Sequence, residues 1–372
     1  MKTFRKPLLL GLLTFLTIML GQAYMVDSVK SKGQAKSSTP TIPVLNQNSK
    51  PSSVKAKSYT LQSDTIRVKV NAKGGGVYRT ELLNYSNSLN DNSPFTLFER
   101  SDNNYYAAET GFTGDNDLHF TQKKPITTSN GVTTLVLEAK KHGATYLKTY
   151  ELGEGSYTLH VKTTIINHGK KALSAQHYAR FRGYQDTNLT KSPIPKPKDY
   201  TLDTDQPKAG LMSLNTYQGP AYYSDENPYV KSPFTEFTTK PVNATIKQPG
   251  WICIQQRYFL AAWVTGEGPR HVKTSWQSGT LEDNNELYRQ IFQFDSNRDP
   301  TSIAPGASVT EEAKLYAGPE IANELASLAK GLEYTVDYGV LWFISDLLFK
   351  TLVFIHQYLG SWGWAIVMTT LL

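Results

Sequence analysis

Few residues of this 372-residue chain fall into spacings that do chemistry. The glycine cluster Gly74-Gly75-Gly76 is followed by Val77-Tyr-Arg-Thr-Glu-Leu-Leu83, without the Lys-Ser/Thr that a phosphate-cradling loop sets at the start of a helix. It reads as a turn between strands. His160, His168 and His177 fall on separate strands and turns, at spacings unlike those of zinc sites. Asp115-Asn116-Asp117 opens like a calcium loop, but neither the glycine nor the closing glutamate follows at the required distance, which leaves a polar turn. The single cysteine, Cys253, lies between Ile252 and Ile254, so an intramolecular disulfide is excluded and a small buried strand residue is expected. No Gly-x-Ser-x-Gly elbow occurs. Paired carboxylates for glycoside cleavage stay open at this level, since acids distant in sequence can meet in space. No catalytic residue, cofactor site or metal site is expected.

The chemistry that does stand out is amphipathic. Between Leu341 and Tyr358, a wheel of about 100° per residue gathers Asp346, Lys350 and Gln357 within roughly 40°, leaving a wide arc of Leu, Phe, Ile and Val. Asp346 and Lys350 stand at i,i+4 with the acid first, the better order against the helix dipole. Placing both in hydrocarbon would cost several kcal/mol. The helix is therefore expected in the membrane interface, with Trp342, Phe343, Phe349 and Tyr358 among its anchoring residues. Gly360, Ser361 and Gly363 break the pattern. From Trp362, Gly363 and Trp364 onward no charge appears, and eleven residues at about 1.5 Å each cover about half of a hydrocarbon core roughly 30 Å thick. The run reads as the start of a second span, and a longer parent protein is expected to continue it.

Other elements must place this stretch. Lys2, Arg5 and Lys6 precede an uncharged run from Pro7 to Val26, which fits either a retained anchor or a signal peptide cleaved after Gly21-Gln22-Ala23. In both cases the charge bias keeps the N-terminus in the cytoplasm. Residues 27–57, rich in Ser, Lys, Pro and Thr, read as a flexible tether. From Tyr59 to Tyr316 a period of two dominates: Ile66, Val68 and Val70; Leu135 and Leu137; Leu159, Val161 and Ile165. Turns at Lys73-Gly76, Lys141-Gly143, Gly153-Gly155 and Asn167-Gly169 punctuate it, as in one large antiparallel β-sandwich. A short helix is expected to close the domain, with Pro319 at its first position, Ile321, Leu325 and Leu328 on one face, Lys330 in its last turn and Gly331 as the stop.

Composition bounds the partners. The net charge of +7 would raise the question of nucleic acid, but the residues up to Lys57 alone carry a formal +8, so the rest is close to −1. Binding phosphate needs a basic face, which a nearly neutral fold does not favour, and nucleic acid is not an expected partner. The mean hydropathy of −0.40 describes a mostly water-soluble chain with local membrane segments.

In order along the chain, the run ending Gly21-Gln22-Ala23-Tyr24, the turn Asn71-Ala-Lys-Gly-Gly-Gly-Val77, Gly250-Trp-Ile-Cys-Ile-Gln-Gln-Arg-Tyr-Phe-Leu-Ala-Ala-Trp263 and Ala317-Gly-Pro-Glu320 resemble the YidC-type bacterial membrane protein insertases. So do Leu332-Glu-Tyr-Thr-Val-Asp-Tyr-Gly-Val-Leu-Trp-Phe-Ile-Ser345, Phe349-Lys350, Ile355-His356 and Gly360-Ser-Trp-Gly363. The resemblance implies a cytoplasmic segment 1–6, an uncleaved transmembrane anchor 7–26 and a periplasmic linker 27–57. It implies next a periplasmic supersandwich-like domain 58–318, a linking helix 319–331, an interfacial amphipathic region 332–359 and the truncated start of a second transmembrane helix at 360–372. It further implies an inner-membrane location, nascent membrane proteins as substrates, the lipid bilayer as surroundings, and the Sec translocon with its accessory subunits as partners. The family's conserved intramembrane arginine would align about two positions past Leu372, so the chain is expected to be the N-terminal part and not competent alone. Two rivals are a membrane-tethered periplasmic glycan-binding or glycan-processing sandwich and a scaffold that docks a translocon subunit.

Overall fold

The computed structural model describes residues 44–45, 57–88, 91–98, 104–196, 200, 217–247, 249–256, 258–281, 284–336 and 342–371; for 44–45, 88, 342–346 and 371 it describes the backbone alone. The expected anchor, 7–26, and all of the expected tether except residues 44, 45 and 57 lie outside these residues. The described residues from Val44 onward belong to one compact unit.

The period of two places its residues as expected. Ile66, Val68 and Val70 are buried while Arg67 and Lys69 are half-buried, and Leu135, Leu137, Leu159, Val161 and Ile165 all enter the core. Two ten-stranded sheets result. The first runs in the order 44–45, 270–281, 284–297, 177–188, 104–112, 77–88, 66–71 and 58–62, with 243–246 added to the second of these and 91–98 to the sixth. The second runs 230–231, 219–222, 251–256, 259–265, 308–319, 158–167, 144–153, 132–141 and 121–122, with 127–129 beside 132–141. Pairing in both is antiparallel, except that Val44 and Leu45 lie parallel to Thr280 and Leu281. Alternate residues of each sheet share one apolar core, which is the physical content of a sandwich. Trp263 from the second sheet crosses it, its indole N–H donating to the Arg180 carbonyl of the first at 3.1 Å.

The strand registers define two ends. One, the exit end, carries the turns at Asn130-Gly131 and Glu154-Gly155, the hairpin at Tyr258 and the last sheet residue, Pro319. Asp64 accepts from the Gly155 N–H there at 2.7 Å, which brings the 62–66 turn of the first sheet to the same end. Arg270 pairs with Glu311 near the opposite end, so the other terminus of its strand, Leu281, also lies at the exit end.

Two expectations need correction. Pro319 does not open a helix; it ends the last strand, paired with Phe259, and helix α1 begins only at Ala322 and runs to Leu328. Sheet pairing wins because the Phe259 strand continues the hydrogen-bonded ladder up to the proline, and the Glu320 N–H donates to the Tyr258 carbonyl at 3.0 Å. Lys330 accordingly lies past the helix, its carbonyl accepting from the Trp251 indole. Gly331 does stop the element: its φ of +82° reverses the chain into a short 3-10 turn, Leu332–Thr335. The tether, secondly, is not wholly without structure, since Val44 and Leu45 within it form a strand.

Candidate functional site

The C-terminal region forms two helices, α2 over Trp342–Leu359 and α3 over Trp362–Leu371. Their backbone corner is set by Gly360, whose φ of +63° suits glycine, while the His356 and Trp362 rings stack across it at 3.7 Å. Trp342, Phe343 and Asp346 lie on the first turns of α2, where side chains are outside the described residues. Phe349, Lys350 and Tyr358 follow on the same helix, and all three are exposed, Tyr358 to 77%. Trp362, Gly363 and Trp364 form the first turn of α3, and Trp364 is 66% exposed. Exposed Leu347, Leu348, Phe354, Ile366 and Val367 complete an apolar surface that water disfavours. Thr351, Thr369 and Thr370 each return their hydroxyl to a carbonyl one turn earlier, which hides the polar group from an apolar medium. No helix among the described residues is long and apolar enough to cross a membrane.

The sandwich holds buried charge that the sequence reading missed. Lys148, 1% exposed, donates to the carbonyls of Gly74 and Thr110 at 2.7 and 2.6 Å and pairs with Asp115 at 2.8 Å. The Tyr178 hydroxyl, with one proton to give, lies 2.6 Å from acceptor oxygens of both Asp115 and Asn116, and the Arg180 guanidinium reaches Asn116 and Glu109 at 2.8 Å each. The Asp-Asn-Asp turn is thus a polar lock on the glycine turn rather than a cation loop. A signal was present: Lys148 stands in the inward phase of Tyr146, Tyr150 and Leu152, where a lysine needs a partner.

A second cluster surrounds His177. Arg270 donates to its Nδ1 at 2.9 Å, and since the Thr110 hydroxyl donates to the Tyr178 carbonyl at 2.8 Å, the contact of Nε2 with that hydroxyl at 3.2 Å requires the proton on Nε2. Burial, reinforced by Arg270, Lys148 and Arg298, pushes this imidazole well below its ordinary pKa. Burial also brings Arg270 down to about 10, against the pull of Glu311. Cys253 is fully buried in its strand, and burial drives its thiol well up, so it is inert.

Two places have the chemistry to hold a ligand. On the outer face of the first sheet, Glu109 and Asp295 flank Arg180 on neighbouring strands. Burial pushes the Glu109 carboxyl up, but Arg180 and Arg182 outweigh it and hold it below the usual range; burial prevails at Asp295, whose pKa is raised. On the outer face of the second sheet a cleft of about 350 Å³ has a floor of Glu151, His160 and Lys314 beside Lys162 and Glu312, and Leu328 of α1 on its wall. Lys162 and Glu312 pair at 2.9 Å across it. Among the described residues no group of His, Cys, Asp and Glu is placed to hold a metal ion.

Residues 58–351 match the YidC periplasmic domain family. Over 390 aligned positions the chain is 30% identical to the membrane protein insertase YidC of Actinobacillus succinogenes, covering 100% of this chain and 66% of that protein. It is 30% identical over 329 positions to the membrane protein insertase YidC of Buchnera aphidicola subsp. Baizongia pistaciae, covering 85% and 57%. Among solved structures, a galactose mutarotase-like protein from Lactobacillus casei aligns with a TM-score of 0.41 at 8% identity, covering 70% of this chain and 100% of that one. The chain spans no more than about two thirds of the length of these curated relatives.

Proposed function

Since this chain belongs to the YidC family of membrane protein insertases, we propose that it takes part in the insertion and folding of inner-membrane proteins, in the absence of the Sec translocon or beside it, with nascent membrane proteins as the substrates. The sandwich stands in the periplasm, the run 7–26 anchors the chain with its N-terminus in the cytoplasm, and α3 begins a second span. Helix α2 lies in the lipid interface with Trp342, Phe343, Phe349 and Tyr358 at headgroup depth and with Asp346 and Lys350 toward water. The chain is not an enzyme: its work is to lower the cost of moving a client's polar parts into lipid, for which no bond need be broken.

One observation carries this reading. A sandwich matching the YidC periplasmic domain leads within a few residues into two helices whose Leu, Phe, Tyr and Trp side chains stand exposed. The test uses photoreactive residues at Phe349 and Trp364 of the full chain in inner-membrane vesicles supplied with ribosome-bound nascent membrane proteins. Position 349 is expected to crosslink to lipid and position 364 to lipid and nascent chain; a nascent chain that never reaches 364 would sink the client reading. Partnership with the translocon is tested in the same vesicles from the sandwich edge strands Thr121–Gln122 and Val230–Lys231.

A further inference from the structure

The exposed apolar residues of the sandwich are unevenly placed. Tyr258, 67% exposed, tips the hairpin between the Trp251–Gln256 and Phe259–Thr265 strands, and Ile321 emerges beside it where Glu320 bonds the Tyr258 carbonyl. Val132 opens its strand after the Asn130-Gly131 turn, and Ile194 follows the turn that ends the His177–Asn188 strand. All four belong to the exit end. The two remaining exposed apolar residues among those described outside α2 and α3, Ile126 and Tyr334, lie at a sheet edge and on the turn after α1. At the opposite end the turns present Lys141, His142, Lys170, Lys171 and Glu267, and none of their described residues is large, apolar and exposed.

Isolated apolar residues on a surface are ordinary; four of these six gathered at one end, with none at the other, are not. The chain connections decide what that end meets. The strand Val44–Leu45, 18 residues past the uncharged N-terminal run, pairs with Thr280 and Leu281 at the exit end. On the way to α2, the Thr335 carbonyl is held by the Gln255 amide at 2.7 Å, at the root of the Tyr258 hairpin. The lead to α2 is therefore fastened to the end that exposes apolar side chains.

We propose that the sandwich stands on the bilayer by its exit end, with Tyr258, Ile321 and Val132 at the level of the lipid headgroups. This rests on the reading of α2 and α3 as membrane helices given above. A tyrosine suits that depth because its ring is apolar and its hydroxyl stays wet. The contact is made by apolar insertion rather than by charge: the turns of this end set Asp64 and Glu154 against Lys191 and carry no pair of adjacent basic residues, so anionic lipid gives no advantage.

The experiment places an environment-sensitive fluorophore at single cysteines, Tyr258→Cys, Val132→Cys, His142→Cys, Lys170→Cys and Trp364→Cys, in the full chain reconstituted into phosphatidylcholine vesicles. Cys253, fully buried, stays unlabelled. Vesicles carrying headgroup-region spin-labelled lipid are expected to quench positions 258, 132 and 364 several-fold more than 142 and 170, equally with and without phosphatidylglycerol and at high salt. If 364 is quenched while 258 is not quenched beyond 142, the standing orientation is wrong and the membrane helices survive. A probe at 258 that is shielded from water but untouched by lipid quencher would put a protein there, a second copy or a translocon subunit, and equally overturn the proposal. Loss of quenching at 364 would remove the membrane reading and this one with it.

Discussion

At the scale of single residues, His177 shows how burial fixes a charge state. In the folded protein the imidazole stays neutral, because burial and the neighbouring Arg270 cation disfavour a second proton. The unfolded chain takes that proton near the ordinary value of 6.5. Below that pH the unfolded state therefore binds more protons than the folded one, and stability falls as the pH drops from about 6.5 toward the depressed folded value. His160, lowered by burial and by Lys314, adds a change of the same sign. The urea midpoint is expected to fall between about pH 7.5 and pH 5.5, and His177→Gln, which can keep one donor and one acceptor, should flatten that fall. A variant as steep as the parent protein would exclude His177. None of this was legible beforehand: the sequence placed His177 outside any metal pattern, but the arginine that faces it is 93 residues away.

At the scale of elements, legibility followed locality. Strands with clean alternation, such as Ile66–Asn71 and Val132–Lys141, were readable because each inward residue repeats at two; turns were readable because glycine marks a positive φ, as at Gly74, Gly75, Gly143 and Gly155. The start of α1 was misread because a proline signals a helix opening only where no neighbouring strand claims the preceding residues. The lock around Lys148 was missed because its partners come from three other segments, around Gly74, Thr110 and Asp115. The stop at Gly331 was legible, and its structural reason is sharper than the sequence implied. A Cβ there would meet the Pro228 side chain at 2.7 Å and its carbonyl oxygen at 2.8 Å, on top of a φ of +82°. Gly331→Ala is expected to cost at least about 1–2 kcal/mol locally and to free the 332–336 segment. Hydrogen exchange at the Leu332 and Val336 amides should rise in the variant, with exchange in the central strands unchanged; equal protection at both amides would contradict this.

At the scale of the whole molecule, both sheets share one core, and Trp263, Arg270 and Lys148 each bond across from one sheet to the other or to its turns. The sandwich is expected to unfold as one unit despite its size, with Trp fluorescence and far-UV circular dichroism giving one urea midpoint. Two separated steps would show that the sheets form independent domains. Its assembly must nevertheless wait on distance. The pairing of Thr158 with Tyr316 closes a separation of 158 residues, and such contacts are slow to form. The corner between α2 and α3 has the opposite character: Gly360 supplies its handedness, and His356 meets Trp362 only six residues on. In kinetic terms that corner can be complete within microseconds of its residues being made, without help from any strand. The bend between the two helices is thus written into a few neighbouring residues and needs no distant contact to form.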